Sequence, residues 1–309
     1  MMTEIRKIRD PIMPAKIHPV LTVFIILGAT MVFLGMITVA FKLLIKSPDL
    51  SISNKIGVIH IEGTITDPEP VLSQLVEFRD DRRIKAIILR IDSPGGGVGA
   101  SPEIYTEVQR TKKTKKVIVS LGGTAASGGY YVASAGDKIV ASPGTLTGSI
   151  GVIMEFIQIQ ELFKKIGVNL EVLKSGEYKD IGSPYRELTE KDRGLLIDLI
   201  SDIQEQFINA VAKGRNMPVE KVREIADGRI LTGAMAKDLG LIDQLGNFQD
   251  AVNLAKNMAG IKGEVDLVLP KKKGIRIWDL IFQQATKAIN SAVNDNLTPQ
   301  LEYRWSGPY

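Results

Sequence analysis

The sequence predicts an α/β protein that carries one transmembrane helix near its N-terminus. The 309-residue chain is 44% hydrophobic and 24% charged, which is ordinary for a globular protein with one membrane segment. From residue 55 onward, strand-like and helix-like hydrophobic patterns alternate, as they do in α/β folds. The 22 residues from Val20 to Phe41 include no charged side chain. At a rise of about 1.5 Å per residue, a helix of that length crosses a bilayer core.

Positive charge flanks this apolar run unequally. Four lysines and arginines precede it between residues 6 and 16, whereas only Lys42 and Lys46 follow it closely. The positive-inside rule therefore predicts a cytoplasmic N-terminus and an extracytoplasmic globular part. A cleaved signal peptide has a shorter apolar core and a small-residue cleavage site, for which only Gly28-Ala29 offers a match, so we favour an uncleaved signal anchor. The predicted domains are a cytoplasmic tail (1–19), a transmembrane anchor (20–45), a linker (46–54), an α/β domain (55–265) and a basic amphipathic tail (266–309).

Within the α/β domain, short runs rich in β-branched residues predict strands and longer mixed patterns predict helices. Ser101, with Pro102 after it and Glu103 in the first turn, is typical of a helix start. The predicted strands are 56–61, 84–91, 117–120, 139–141, 150–153 and 170–173. The predicted helices are 71–79, 101–111, 127–134, 156–166, 190–215, 231–239 and 248–258.

The composition excludes several kinds of chemistry. The chain has no cysteine, which excludes disulfides, thiolate nucleophiles and cysteine-ligated metals. Its two histidines, His18 and His60, are far apart in the sequence, so a zinc site is improbable and we expect no metal or cofactor. The net charge of +4 is spread over small clusters, which favours solvated faces or anionic lipid contact over nucleic-acid binding.

The tail is different in character from the α/β domain. Lys271-Lys272-Lys273 precedes an apolar stripe at helical spacing that ends near Val293. Such a helix could lie on a membrane surface. Packing against its own domain or a neighbouring subunit is the interpretation that we favour.

Two glycine-rich segments follow predicted strands. Ser93-Pro94-Gly95-Gly96-Gly97 comes directly after one buried strand, where glycines let the backbone approach a ligand closely. One strand later, Ser127 stands at a strand-to-helix junction, where its hydroxyl could act as a nucleophile and the amide of Gly128 as an oxyanion donor. Small residues at these positions are equally consistent with close helix packing.

A serine nucleophile needs a base, and neither histidine is well placed to supply one. The most distinctive loop, 175–184, carries Lys179 among glycines and a proline, whereas Lys174 ends the preceding predicted strand. A lysine with an ordinary pKa of about 10.4 is protonated at neutral pH, so a lysine base must be desolvated. Most loop lysines are surface charges. Spacing alone therefore does not assign Lys179 as a base.

Four motifs in this order and spacing resemble the signal peptide peptidase SppA family. The resemblance covers roughly residues 55–260, and the N-terminal anchor also fits the family. One departure is Gly136, where the family pattern has alanine. The four motifs are Ser93-Pro94-Gly95-Gly96-Gly97, Ala126-Ser127-Gly128-Gly129-Tyr130-Tyr131, the run 143–152 and the loop 175–184.

The resemblance implies a Clp protease/crotonase-like fold and a serine endopeptidase without metal or cofactor. It implies Ser127 as nucleophile, Lys179 as general base, and the amides of Gly96 and Gly128 as the oxyanion hole. Ser149 either orients Lys179 or caps a turn. For a single-copy chain, it further implies a homo-oligomeric ring in which serine and lysine come from neighbouring subunits. The expected substrates are remnant signal peptides and other apolar, membrane-associated peptides.

Two alternatives remain open at this stage. The same superfamily includes crotonase-like acyl-CoA enzymes, which use paired glycine amides to stabilise a thioester enolate. A non-catalytic scaffold could instead bind membrane-protein segments along the glycine-lined groove. The predicted extracytoplasmic location argues against the acyl-CoA enzyme, because CoA esters are cytoplasmic.

Overall fold

A computed structural model describes residues 19–45, 54–270 and 301–305. The chain divides into two compact units, Met1–Ile52 and Ser53–Tyr309. The first unit contains the 27-residue helix α1, Pro19–Ile45. Its segment Val23–Ala40 has a mean hydropathy of 2.5 and exposes apolar side chains on every side, which is compatible with a membrane anchor.

The second unit alternates strands and helices, as the hydrophobic pattern predicts. Its helices are α2 (Glu69–Asp80), α3 (Ala100–Thr111), α4 (Gly128–Ser134), α5 (Gln160–Lys165), α6 (Glu190–Arg215), α7 (Val219–Arg223), α8 (Gly233–Asp238) and α9 (Phe248–Met258). Its strands are β1 (Lys55–Glu62), β2 (Ile84–Ser93), β3 (Gly95–Gly97), β4 (Lys116–Ala126), β5 (Lys138–Ala141), β6 (Leu146–Gly148), β7 (Ile153–Met154), β8 (Ile230–Thr232), β9 (Gln244–Leu245), β10 (Asp266–Val268) and β11 (Leu301–Arg304).

A parallel sheet forms the centre of this unit. Its strand order is β10-β1-β2-β4-β5-β9, and β6 extends the far end of β4 and pairs with β8. A separate three-stranded sheet has the order β3-β11-β7. Both faces of the main sheet are buried, which parallel strands require. In β2, Ile87 and Leu89 belong to the larger core, which includes side chains of α2, α3, α4 and α6, while Ala86 and Ile88 belong to the smaller core, which includes side chains of α9.

Most predicted elements are confirmed to within a few residues, and α6 and α9 have the predicted bounds. α6 begins at a capping box: the Thr189 hydroxyl accepts from the Asp192 amide, and the Asp192 carboxylate accepts from the Thr189 amide. It ends at Asn216, which adopts the left-handed conformation that terminates helices. Local signals were therefore sufficient to place this helix.

Several predicted elements are wrong in place or type. Of the predicted strand 150–153 only Ile153 lies in a strand, β7, because Gly148 and Ser149 have positive φ and end β6 before residue 150. Residues 170–173 form no strand: they pair with no described strand and their side chains are exposed. The predicted helix 156–166 shrinks to α5, and the predicted helix 231–239 opens with β8, since its first residues pair with β6.

The predicted domain boundary at residue 265 also changes. Asp266–Val268 pairs in parallel with β1 and so extends the main sheet. Leu301–Arg304 pairs with β3 and β7. Parts of the predicted tail therefore belong to the α/β unit, whereas the predicted amphipathic stripe near residues 271–293 lies outside the described residues.

Candidate active site

The two glycine-rich motifs meet at one edge of the parallel sheet. β2 and β4 are neighbours, and Ser93 stands in register with Ala125. Because both strands run in the same direction, the segments that follow them leave the sheet at the same edge. β3 follows β2 there, and Ser127 follows β4.

Ser127 occupies a strained turn between β4 and α4. Its backbone has φ 51° and ψ −116°, a conformation that residues other than glycine seldom adopt. Its N–H donates to the Gly148 carbonyl at 2.8 Å, and its carbonyl accepts from the Tyr131 N–H at 2.8 Å. The side chain is 1% exposed, and its hydroxyl has no hydrogen-bond partner among the described residues. The turn thus holds a buried, uncommitted hydroxyl at the sheet edge.

The amide nitrogens of Gly96 and Gly128 lie close to each other beside this serine. A Cβ built on Gly128 would stand 2.9 Å from the Gly96 nitrogen, and one built on Gly95 would stand 2.8 Å from the Gly128 nitrogen. Gly95 also has φ +116°, which only glycine adopts without strain. The structure therefore brings Ser127, Gly96 and Gly128 together. The alternative role of these small residues, close packing, is also observed: a Cβ on Gly129 would lie 2.9 Å from the Ser93 carbonyl oxygen.

An extended segment of the chain, β11, lies across this edge. It pairs antiparallel with β3 on one side, with Tyr303 opposite Gly96, and antiparallel with β7 on the other. The Trp305 N–H donates to the Pro94 carbonyl at 2.9 Å, which continues the pairing beyond the strand. A peptide in this position has strands on both sides and its backbone beside the two glycine amides.

Lys179 lies in a series of turns, and its side chain is exposed. No hydrogen bond joins it to Ser127 in the described part of the chain, so this single chain does not bring the predicted nucleophile and base together. Arg186 fastens the loop to the start of α6 by donating to Asp180 at 2.9 Å and to Asp192 at 2.6 Å. Hydrogen bonds from Arg186 hold the pKa of Asp192 at about 2, so this link stays charged at neutral pH.

Ser149 follows the left-handed Gly148 and has a positive φ itself, 49°. Its N–H donates to the Arg229 carbonyl at 2.8 Å, while its hydroxyl makes no hydrogen bond to a described residue. Ser149 lines a cavity of about 420 Å³ that continues from the Arg304 end of β11. The turn-capping role finds no support in these contacts, and the cavity leaves the hydroxyl free to meet an incoming group.

Comparison with known proteins identifies the family. Residues 109–262 match peptidase family S49, and residues 51–145 match the Clp protease family. The chain is 42% identical over 252 residues to a putative protease of Synechocystis sp., covering 80% of this chain and 91% of that protein. This chain belongs to peptidase family S49. The resemblance to SppA peptidases is thereby confirmed, and so is the Clp-protease-like fold.

Two further relatives support a serine peptidase. A putative signal peptide peptidase SppA of Enterococcus faecium is 40% identical over 186 residues, covering 60% of this chain and 54% of the relative. The chloroplastic serine protease SPPA of Arabidopsis thaliana is 38% identical over 212 residues, covering 68% of this chain and 31% of the relative. The S49 peptidase thus spans about half the length of the Enterococcus relative and about a third of the length of the Arabidopsis relative. These relationships decide against the acyl-CoA enzyme and the non-catalytic scaffold.

Exposed apolar side chains occur in both segments that flank the lysine loop in the sequence. Ile157, Leu162, Ile166, Leu170 and Leu173 precede the loop, Leu173 with 91% exposure, and Leu195 and Ile197 follow it on α6. None of them joins either hydrophobic core. We refer to these seven side chains as the apolar surface around the lysine loop.

Sequence reasoning missed two contributors to the site. Ile65 holds β3 in place, because its N–H donates to Gly95 at 2.8 Å and its carbonyl accepts from Gly97 at 2.9 Å. β11 was included in the tail, although Leu301-Glu302-Tyr303-Arg304-Trp305 alternates apolar and charged residues as strands do. That period-two pattern was the available signal for a strand.

Proposed function

We propose that this S49 peptidase is a membrane-anchored endopeptidase that uses a dyad of Ser127 and Lys179. The observation that carries the proposal is the buried Ser127 hydroxyl, which has no hydrogen-bond partner among the described residues and lies on a strained turn beside the amide nitrogens of Gly96 and Gly128. The position of β11 supports extended binding of a peptide across this site. Remnant signal peptides and other apolar membrane peptides are the proposed substrates, in keeping with the name of the Enterococcus relative.

In the proposed reaction, neutral Lys179 removes the Ser127 proton as the hydroxyl oxygen attacks the peptide carbonyl. The amides of Gly96 and Gly128 donate to the oxyanion that forms. The C–N bond then breaks, the lysine returns the proton to the leaving amine, and an acyl-enzyme remains. Water hydrolyses this ester with the same lysine as base. No step needs a metal or cofactor.

We further propose a homo-oligomeric ring in which a neighbouring subunit supplies Lys179. Two observations support this arrangement. Lys179 is exposed on its own chain, while Ser127 is buried. The apolar surface around the lysine loop would be covered by the next copy, which would also desolvate the ammonium group. The cavity beside Ser149 offers room for an incoming side chain, and the Ser149 hydroxyl could then orient the lysine.

The membrane topology is also a proposal. The apolar helix α1 would anchor the chain, with residues 1–19 in the cytoplasm and the α/β unit outside. This orientation places the site beside membrane-associated peptides. Protease added to intact cells is then expected to digest the α/β unit and to spare an N-terminal tag, and the reverse pattern would overturn the orientation.

The dyad is tested by Ser127→Ala and Lys179→Ala in the full chain, assayed on an apolar peptide in detergent. Each substitution is expected to lower kcat by about 10⁶-fold, the scale seen when a nucleophile or its base is removed. Lys237→Ala is the matched control, since Lys237 is an exposed lysine on α8 and belongs neither to the lysine loop nor to the apolar surface around it. Activity retained in Ser127→Ala would overturn the nucleophile, and activity retained in Lys179→Ala would overturn the base alone.

A further inference from the structure

Ser101 marks the start of α3 in the sequence, yet its hydroxyl does not cap the helix. α3 begins at Ala100, and its N-cap residue is Gly99, so Ser101 lies inside the first turn. The helix has no side-chain cap hydrogen bond. The Ser101 side chain is fully buried, and its hydroxyl has no hydrogen-bond partner among the described residues. A buried hydroxyl without a partner is costly, so this one requires a role other than capping.

The Ser101 hydroxyl lies beside the two glycine amides of the site. A Cβ built on Gly128 would stand 2.6 Å from Ser101 Oγ and 2.9 Å from the Gly96 nitrogen. Standard backbone geometry puts the same position roughly 2.5 Å from the Gly128 nitrogen. Three hydrogen-bond donors, two amides and one hydroxyl, therefore surround a single point at the residue that follows Ser127.

The first turn of α3 also brings a favourable dipole to this place. α3 has 12 residues, and the positive end of its dipole lies at the turn that contains Ser101. Ser101, Ser127, Gly96 and Gly128 are all buried, so they share an enclosed site. Donors and dipoles that are fixed in such a site stabilise developing negative charge more strongly than they would in water.

We propose that Ser101 is a catalytic residue, the third hydrogen-bond donor of the oxyanion hole. The inference rests on the proposed serine mechanism. As Ser127 Oγ bonds to the peptide carbonyl carbon, one electron pair of the C=O double bond moves onto the oxygen. The Ser101 hydroxyl donates to that oxyanion beside the Gly96 and Gly128 amides, and its proton stays on its own oxygen throughout. Because this hydrogen bond strengthens with the developing charge, it raises kcat more than it raises substrate affinity.

Ser101→Ala in the full chain tests this role, because it removes the hydroxyl oxygen and leaves the Cβ in place. For the apolar peptide, kcat is expected to fall about 100-fold, the effect of losing one oxyanion donor. A peptide aldehyde that adds to Ser127 as a tetrahedral hemiacetal is expected to bind about 100-fold more weakly as well. Binding of the uncleaved peptide, measured in the Ser127→Ala background with and without Ser101→Ala, is expected to differ by less than about 2-fold.

Thr111→Val is the matched control. Thr111 lies at the other end of α3, is fully buried, and also has a hydroxyl without a partner among the described residues. Valine keeps the branched shape and removes only the hydroxyl. Because this position is remote from the glycine amides along the helix, kcat and the affinity for the aldehyde are expected to stay within about 2-fold of the wild-type values.

The outcomes separate this inference from the serine mechanism. An unchanged kcat in Ser101→Ala, with all cleavage lost in Ser127→Ala, would overturn the role of Ser101 alone. A fall in binding of the uncleaved peptide as large as the fall in kcat would also overturn it, since Ser101 would then shape the binding groove. Equal losses in Thr111→Val would have the same meaning. Cleavage that persists in Ser127→Ala would instead overturn the serine mechanism itself.

Discussion

Gly96 and Gly97 are neighbours in β3, yet an added methyl group would meet different surroundings. A Cβ on Gly96 would overlap the Ile65 carbonyl, so β3 would have to move and carry the Gly96 amide away from Ser127. A Cβ on Gly97 would find the same carbonyl at 3.8 Å, which is ordinary contact. The glycine-rich motif therefore contains two positions where close packing requires glycine, Gly95 and Gly96, and one that tolerates a side chain, Gly97.

Gly96→Ala is expected to lower kcat by about 100-fold or more, the cost of losing one oxyanion donor. Gly97→Ala is the matched control and is expected to change kcat by less than about 3-fold, because its neighbours need not move. Both rates are measured on the same apolar peptide. Equal losses in the two variants would contradict the assignment of the Gly96 amide to the oxyanion hole.

Ser127 shows how much of a single residue's environment could be predicted from the sequence. Its position before a helix was predicted from small residues after a strand-like run, and the structure confirms the helix start. The sequence pattern did not reveal the positive φ or the unpartnered hydroxyl. Both depend on the Gly148 carbonyl, which holds the Ser127 amide from a distant part of the chain.

At the scale of elements, the loop that carries Lys179 depends on few attachments. Its residues contribute nothing to either hydrophobic core. Lys174 donates to Asp180 at 2.7 Å, and Arg186 joins Asp180 to Asp192 at the start of α6. Asp192 is buried and Arg186 is only partly exposed, so their ion pair is shielded from solvent and attaches the loop to α6.

Arg186→Ala is expected to lower kcat about 10- to 100-fold, since a small displacement of a catalytic group has effects of that size. The melting temperature is expected to fall as well, because the buried Asp192 carboxylate loses its charged partner. Arg223→Ala is the matched control. Arg223, on α7, makes an ion pair with two hydrogen bonds to Glu205 of α6, and it forms no ion pair or hydrogen bond with the described residues of the lysine loop. A large drop in melting temperature with unchanged kcat would show that Arg186 stabilises the fold instead of positioning the loop.

Elements with local signals were predictable, and elements formed by pairing were not. α6 has a capping box and a helix-ending asparagine, and its bounds were predicted correctly. β4 continues well past Ser120 because Thr124–Ala126 pair with β6. β3 was not among the predicted strands, and it forms because Ile65 and β11 supply partners on its two sides. Strand pairing depends on distant residues, which hydrophobic periodicity does not report.

At the scale of the whole molecule, no hydrogen bond joins Ser127 to Lys179 within the described part of one chain. Ser127 is buried in the α/β unit, and Lys179 is exposed on a loop that exposed apolar side chains flank in the sequence. The proposed ring of identical subunits would account for both features, since each interface would cover the apolar surface and deliver a lysine to the next serine.

Mixing two inactive variants tests this arrangement. Ser127→Ala and Lys179→Ala chains are co-expressed so that they assemble together, and peptide cleavage is compared with that of each variant alone. If the lysine acts on a neighbour, about a quarter of the sites in an equal mixture pair an intact serine with an intact lysine, by random assembly around a ring. If the dyad lies within one chain, the mixture stays inactive. Wild-type chains co-expressed with either variant provide the control for assembly.

The sequence alone was enough to predict the membrane-length helix, the alternation of strands and helices, and the motifs that place this chain in the S49 family. These features are local, because hydrophobic periodicity and turn residues act over a few positions. The tertiary structure decided which motifs meet: Gly96 with Gly128 beside Ser127, and β3 with β11. Those contacts join residues up to about two hundred positions apart. They arise only when parallel strands end at one edge and a distant segment pairs there.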